Sequence, residues 1–93
     1  MAPAGTTCGT LPSVGGGNAQ PVVVLAGALP CATAMRIGGR YLADIRAGTA
    51  QGQGQFATED SWQCDWPYVP GRSHANSYLQ CTDPAQNSFK IGQ

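Results

Sequence analysis

The side chains with the clearest chemical potential are four cysteines, Cys8, Cys31, Cys64 and Cys81. An even number of cysteines in a chain of 93 residues is typical of a disulfide framework. The alternative is a zinc site, which needs pairs of ligands roughly two to four residues apart. The cysteines are widely spaced and contain no such pair. Disulfides are therefore favoured over metal, and we expect no cofactor.

Four cysteines allow three pairings. We favour Cys8–Cys31 with Cys64–Cys81, because Cys64 and Cys81 lie on segments that are expected to form a hairpin. Cys8 would then hold the N-terminal segment to the start of a helix. The main rival is a bridge from Cys31, on the helix, to the sheet. Disulfides persist in oxidising compartments, which predicts a secreted or otherwise extracytoplasmic protein of the cell envelope.

Catalytic motifs are absent from the sequence, which contains no GxSxG, HExxH or P-loop pattern. The single histidine, His74, would have to supply the base of a small hydrolase, paired with Ser73, Ser77 or Asp65. Its turn-rich surroundings favour a solvated loop histidine instead. The acidic pair Glu59-Asp60 is interpreted as a solvated strand entrance. We therefore expect a protein that is not an enzyme.

The segment of residues 66–72 carries the residue types that dominate protein-binding surfaces. Trp66 and Tyr68 are aromatic, Arg72 has a fixed charge, and two prolines stiffen the segment. A stiff loop loses little conformational entropy on binding. Trp66, Tyr68, Arg72 and His74 are therefore the candidate partner-binding residues, although packing of the aromatic side chains in the core is the favoured interpretation of the cluster.

The N-terminal segment, residues 1–20, is rich in glycine, proline and threonine. This composition predicts an extended arm that is pinned by Cys8. Residues 21–93 then form a single domain. Its first strand is predicted at the β-branched run of residues 22–25, which has apolar side chains on both faces.

Residues 30–47 carry the only helical pattern, with apolar side chains at i, i+3 and i+4 spacing. Pro30 suits the first turn of a helix, and Gly48 suits its C-terminal end. Gly38 lies within the apolar stripe but has no side chain to bury. We therefore predict that Gly38 marks a close approach of the helix to a sheet.

Three alternating segments follow the helix, at residues 61–66, 77–81 and 88–91. The resulting order, β-α-β-β-β, predicts an α+β domain in which one helix packs on a small antiparallel sheet. Disulfides are expected to stabilise this thin core, because a domain of this size buries only about 60–65% of its unfolded surface.

Charge is sparse, since charged residues make up 11% of the chain and their signs cancel. This balance argues against a nucleic-acid partner. Arg36 and Arg40 lie one turn apart on the outer helix face, where a solvated face is favoured over an anion site. No apolar run approaches the ~18 residues of a membrane span. The N-terminus has no signal-peptide pattern, so we expect a mature domain whose tether, if any, lies upstream.

One pattern resembles a known group of proteins. It consists of Cys31-Ala32-Thr33-Ala34, Tyr41, a glycine-rich loop, Trp62-Gln63-Cys64 and Leu79-Gln80-Cys81. These residues resemble small exported domains of actinobacteria, mycobacteria in particular. The resemblance implies a secreted protein, a lipoprotein or an extracytoplasmic part of a membrane protein, and it implies no activity.

The leading expectation is therefore a non-catalytic exported binding domain for a protein, cell-wall or lipid partner. A second hypothesis is an inhibitor of a secreted enzyme that acts through the loop 67–76. A third is a small hydrolase that uses His74.

Overall fold

A computed structural model of the chain describes residues 1–12, 18–52, 54–67 and 78–92. Its elements in chain order are β1 (Ala2–Pro3), β2 (Thr7–Leu11), β3 (Gln20–Ala26), β4 (Ala28–Leu29), α1 (Cys31–Ala47), β5 (Ala57–Glu59), β6 (Trp62–Asp65), β7 (Leu79–Thr82) and β8 (Ser88–Ile91). Within these residues, six strands form one antiparallel main sheet in the order β2-β3-β8-β7-β6-β5, and β1 pairs with β4. The predicted α+β class is confirmed.

The strand order of the main sheet differs from the predicted β-α-β-β-β order. The segment predicted as an extended arm contains β2, which pairs with β3 at one edge of the sheet. At the other edge, β5 forms a hairpin with β6. Both edge strands are short, with five residues in β2 and three in β5, and their pairing with the neighbouring strand stabilises them more than their own residue preferences do.

The core lies between α1 and the inner face of the main sheet. Strand β8 is the third strand across and contributes Phe89 and Ile91, both buried. The ring of Trp62 lies 5.3 Å from the ring of Phe89, measured between centroids. On β3, Val22 and Val24 are fully buried, while the alternate side chains are half-buried, as apolar residues on both faces predict.

Helix α1 begins at Cys31, directly after Pro30, and ends where Gly48 adopts a left-handed conformation with φ of 76°. The amide of Gly48 donates a hydrogen bond to the carbonyl oxygen of Ile45. Such a left-handed terminus favours glycine, because a Cβ atom would be strained there. The C-terminal boundary at Gly48 is as predicted, whereas the helix begins one residue after the predicted start, because Pro30 is the N-cap residue and has an extended backbone with ψ of 134°.

The main sheet wraps around α1, since the helix contacts both edge strands, β2 and β5. Gly38 lies at the closest approach. A Cβ atom on Gly38 would lie 3.0 Å from Cδ1 of Leu11, 3.2 Å from Cδ1 of Ile91 and 3.4 Å from Cε2 of Phe89. The predicted close approach of helix and sheet at Gly38 is confirmed.

Two disulfides fasten this arrangement. Cys8–Cys31 joins β2 to the first residue of α1, with 5.1 Å between the Cα atoms. Cys64–Cys81 joins directly opposite positions of β6 and β7, with 4.0 Å between the Cα atoms. This is the pairing that the sequence analysis favoured. The two bonds are consistent with an oxidising, extracytoplasmic environment.

No helix in the described residues has the length and apolar character to cross a membrane.

Adjacent glycines in α1 provide a test of the helix–sheet packing. Leucine at Gly38 would overlap with the side chains of β2 and β8, so we expect Gly38→Leu to lower the free energy of unfolding by about 1–3 kcal/mol. A Cβ atom on Gly39 meets nothing within 4 Å. Gly39→Ala should therefore raise the stability by up to about 1 kcal/mol through helix propensity. Urea denaturation measures both, and equal effects at the two positions would contradict this packing.

Candidate functional site

The predicted binding residues Tyr68, Arg72 and His74 lie outside the described residues, together with most of the loop 67–76. Trp66 is described, and it is half-buried directly after β6. Its backbone amide donates a 2.6 Å hydrogen bond to the carbonyl oxygen of Gly54. The end of β6, from which the predicted binding loop departs, is therefore attached to the segment that precedes β5.

This preceding segment presents Phe56, whose exposed fraction is 57%. Gln51 and Phe56 exchange two backbone hydrogen bonds, each of 2.8 Å, which close the segment into a small hairpin. The Phe56 ring rests on Gly54, where an added Cβ atom would lie 2.6 Å from Cε2 of the ring. Glycine at this position therefore makes room for the ring, and the backbone pairing holds the ring at the surface.

The sequence analysis did not single out Phe56, which follows a loop rich in glycine and glutamine at residues 49–55. The available signal was the position of this phenylalanine, directly after the loop and directly before a short polar strand. Its exposure depends on the pairing of the loop with itself, which no local pattern reveals.

Beside Phe56 lies an open depression of about 460 Å³. Its rim includes Asp44, Thr49, Gln51, Phe56, Thr58 and Gln63. Thr58 and Gln63 are directly opposite each other in the β5–β6 ladder, and both are exposed. Ala57 and Cys64 also line the depression, and the remaining side chains, apart from Phe56 and the Asp44 carboxylate, are amides and hydroxyls. The depression can therefore offer many hydrogen-bonding groups around one aromatic ring.

The C-terminal end of α1 supplies one side of the depression. The Thr49 hydroxyl lies 3.1 Å from the carbonyl oxygen of Asp44 and 3.2 Å from its Oδ1 atom, and can donate to either. The Thr49 amide also donates to the Asp44 carbonyl oxygen, at 3.0 Å. These bonds satisfy carbonyl groups that a helix terminus otherwise leaves unpaired. They also fix both side chains at the rim.

A buried tyrosine supports the site from below. The Tyr41 side chain is fully buried, and its hydroxyl donates a 2.6 Å hydrogen bond to the carbonyl oxygen of Gln55. Burial, and secondarily the charge of Asp65, raise the pKa of Tyr41 far above its ordinary value. The hydroxyl therefore remains a donor throughout the physiological range. Desolvation also raises the pKa of the half-buried Asp65.

The turn between β5 and β6 is attached to the helix by charge. Asp60 and Ser61 have φ angles of 46° and 73°, as a two-residue type I′ hairpin turn requires. Oδ2 of Asp60 lies 2.6 Å from Nη1 of Arg36 and 2.9 Å from Nη1 of Arg40. The two arginines are about half exposed, but both are ion-paired with Asp60. They therefore do not form the purely solvated face that the sequence analysis favoured.

The interpretation of Glu59-Asp60 as a solvated strand entrance is also wrong in part. Glu59 is 5% exposed, because it points to the inner face of the sheet, where α1 covers it. Oε1 of Glu59 lies 3.6 Å from Nε of Arg40. Only Asp60 of the pair is exposed to solvent, and it is ion-paired.

Comparisons with known proteins add no assignment: no family model, no curated protein and no solved structure matches this chain. Within the residues described, no group of three or more His, Cys, Asp or Glu side chains is placed to hold a metal ion. The candidate site is thus defined by its own geometry, with Phe56 and the depression beside it at the centre.

The ion pairs of Asp60 predict a pH-dependent stability. The hydrogen bond from Arg36 and the charge of Arg40 hold the pKa of Asp60 below its ordinary value. Its contribution to stability is therefore present above the unfolded-state pKa of about 3.9 and is lost as the pH falls through the lower folded-state value. We expect Asp60→Asn to be less stable than the parent at about pH 7, and by a smaller margin at about pH 2. Urea denaturation at both values measures this, and a difference independent of pH would contradict it.

Proposed function

We propose that the chain is a non-catalytic, exported binding domain, and that Phe56 and the adjacent depression contact its protein, cell-wall or lipid partner. The observation that carries this proposal is the exposure of Phe56 on a backbone that is hydrogen-bonded on both sides of the ring position. Export is supported by the two disulfides, Cys8–Cys31 and Cys64–Cys81.

An exposed aromatic residue is informative in a domain this small. In the described part of the chain, the large apolar side chains are buried or half-buried, and the exposed exceptions are Phe56 and Met1. Because the Phe56 ring is exposed, the fold loses the stabilising free energy that burying this ring in its thin core would provide. Aromatic residues at a surface recover that free energy when a partner covers them. The position of Phe56 is therefore more useful for binding than for folding.

The backbone around Phe56 is preorganised. The hairpin of Gln51 and Phe56 fixes the segment from one end, and Tyr41 fixes it from below through the carbonyl oxygen of Gln55. The amide of Trp66 fixes Gly54, the residue on which the ring rests. A surface held in this way loses little entropy on binding, which leaves more of the interaction energy as affinity.

The binding loop predicted from the sequence begins next to this surface. Trp66 is hydrogen-bonded to Gly54, and Gly54 contacts Phe56. Tyr68, Arg72 and His74 lie outside the described residues, and partner binding by them remains a prediction. The inhibitor and hydrolase hypotheses depend on the loop 67–76 and on His74, and no described contact favours them.

A binding panel tests this function. The folded chain would be presented separately to a displayed peptide library, to insoluble cell-wall polysaccharide and to phospholipid vesicles. We expect binding in one of the three arms, and a loss of about tenfold or more in Phe56→Ala. Phe56→Tyr keeps the ring and should keep the binding.

Thermal unfolding controls for folding, since an exposed ring contributes little to stability and Phe56→Ala should melt near the parent temperature. Absence of binding in all three arms would refute the proposed function. Binding that is unchanged in Phe56→Ala would refute the assignment of the surface.

A further inference from the structure

The rim of the depression carries hydrogen-bonding groups that the fold itself does not use. The side chains of Gln51, Thr58 and Gln63 are exposed, and they form no hydrogen bond within the part of the chain that the structure describes. Each amide offers two donor hydrogens and an acceptor oxygen, and the hydroxyl offers one donor and an acceptor. A ligand that matches these groups must itself carry closely spaced donors and acceptors.

The charge of the rim restricts the ligand further. Among the rim residues that the structure describes, none is a lysine or an arginine, and the ionisable side chain is the carboxylate of Asp44. The Oδ1 atom of this carboxylate lies 3.2 Å from the Thr49 hydroxyl. Its Oδ2 atom has no hydrogen-bond partner among the residues that the structure describes. A carboxylate accepts hydrogen bonds from hydroxyl groups but repels phosphate and carboxylate groups. An uncharged, hydroxyl-rich ligand is therefore favoured over an anionic lipid headgroup.

The aromatic ring supplies the remaining feature. Gly54 lies against the Cδ2, Cε2 and Cζ atoms of the Phe56 ring, and more than half of the residue is exposed beside the depression. The face of an aromatic ring carries partial negative charge, which attracts the weakly positive C–H hydrogens of a saturated ring. A sugar ring presents such C–H groups on its face and hydroxyl groups around its edge.

Peptide binding by strand addition fits this edge of the sheet poorly. Gln51 already occupies the backbone hydrogen-bonding position beside Phe56. The edge strand that remains is β5, which has three residues, Ala57–Glu59. Strand addition derives its affinity from a row of main-chain hydrogen bonds, and three residues provide few of them.

From this combination we propose that the depression beside Phe56 is a binding site for a neutral saccharide. This proposal rests on the proposed binding function and names the chemical class of its ligand. The sugar ring packs on Phe56, while its hydroxyl groups bond to the amides and hydroxyls of Gln51, Thr58 and Gln63 and to the free carboxylate oxygen of Asp44. The volume of about 460 Å³ lies within the range of small-ligand sites, roughly 300–1,000 Å³.

The chain offers a matched pair of threonines for the test. Thr58 and Thr10 are both exposed on edge strands, but they lie at opposite edges of the main sheet, and only Thr58 belongs to the rim. The probes are an array of neutral oligosaccharides of hexoses and N-acetylhexosamines, followed by titration calorimetry with the best binder. We expect a loss of affinity of about tenfold or more in Phe56→Ala and about threefold to tenfold in Gln63→Ala and Thr58→Ala. Thr10→Ala should bind like the parent.

The outcomes separate this proposal from the function on which it rests. If no oligosaccharide binds but displayed peptides bind in a manner that depends on Phe56, the saccharide proposal is overturned and the binding function stands. If no ligand of any class binds, both fail. If an oligosaccharide binds equally well to Phe56→Ala and Thr58→Ala, the site is wrong. Chemical-shift mapping of the parent protein needs no variant. Shift changes on adding the oligosaccharide that are centred on the backbone amides of Thr58 and Gln63 would support the proposal.

Discussion

The contact between α1 and β8 at Gly38 determines how the rest of the chain is arranged. Because Gly38 has no side chain, the helix axis approaches the sheet closely enough for Leu11, Phe89 and Ile91 to surround it. At this distance the two edges of the main sheet reach the helix as well. A larger residue would separate the two layers and weaken every link between the helix and the edges.

Those links occur in order along the helix, and together they position the candidate site. At its start, Cys31 is bonded to Cys8 of one edge strand. Along its outer side, Arg36 and Arg40 hold the turn at Asp60 beside the other edge strand. Three residues beyond Gly38, the hydroxyl of Tyr41 reaches the carbonyl oxygen of Gln55 and supports the segment that carries Phe56. The site is thus assembled by elements far apart in sequence.

Local signals explain which parts of this fold the sequence could predict. Pro30 and Gly48 define the ends of the helix because their backbone preferences act within a turn. The hairpin spacing of Cys64 and Cys81 likewise favoured the observed disulfide. The edge strand containing Cys8 gives no such signal, since its threonines and glycine become a strand only through pairing with β3. Burial of Glu59 depends on how α1 meets β5, and exposure of Phe56 depends on its backbone pairing with Gln51, so the alternation of polar and apolar residues reveals neither.

The central claim of this account is that the fold holds Phe56 rigidly at the surface. Amide hydrogen exchange under native conditions measures this directly, because the amides of Gln51, Phe56 and Trp66 are each hydrogen-bonded to a backbone carbonyl oxygen. The account predicts exchange slowed by about 100-fold or more relative to the unfolded chain at all three amides. Exchange of the Gln51 and Phe56 amides at the unfolded-chain rate would contradict it, because the ring would then lie on a segment that the fold does not hold.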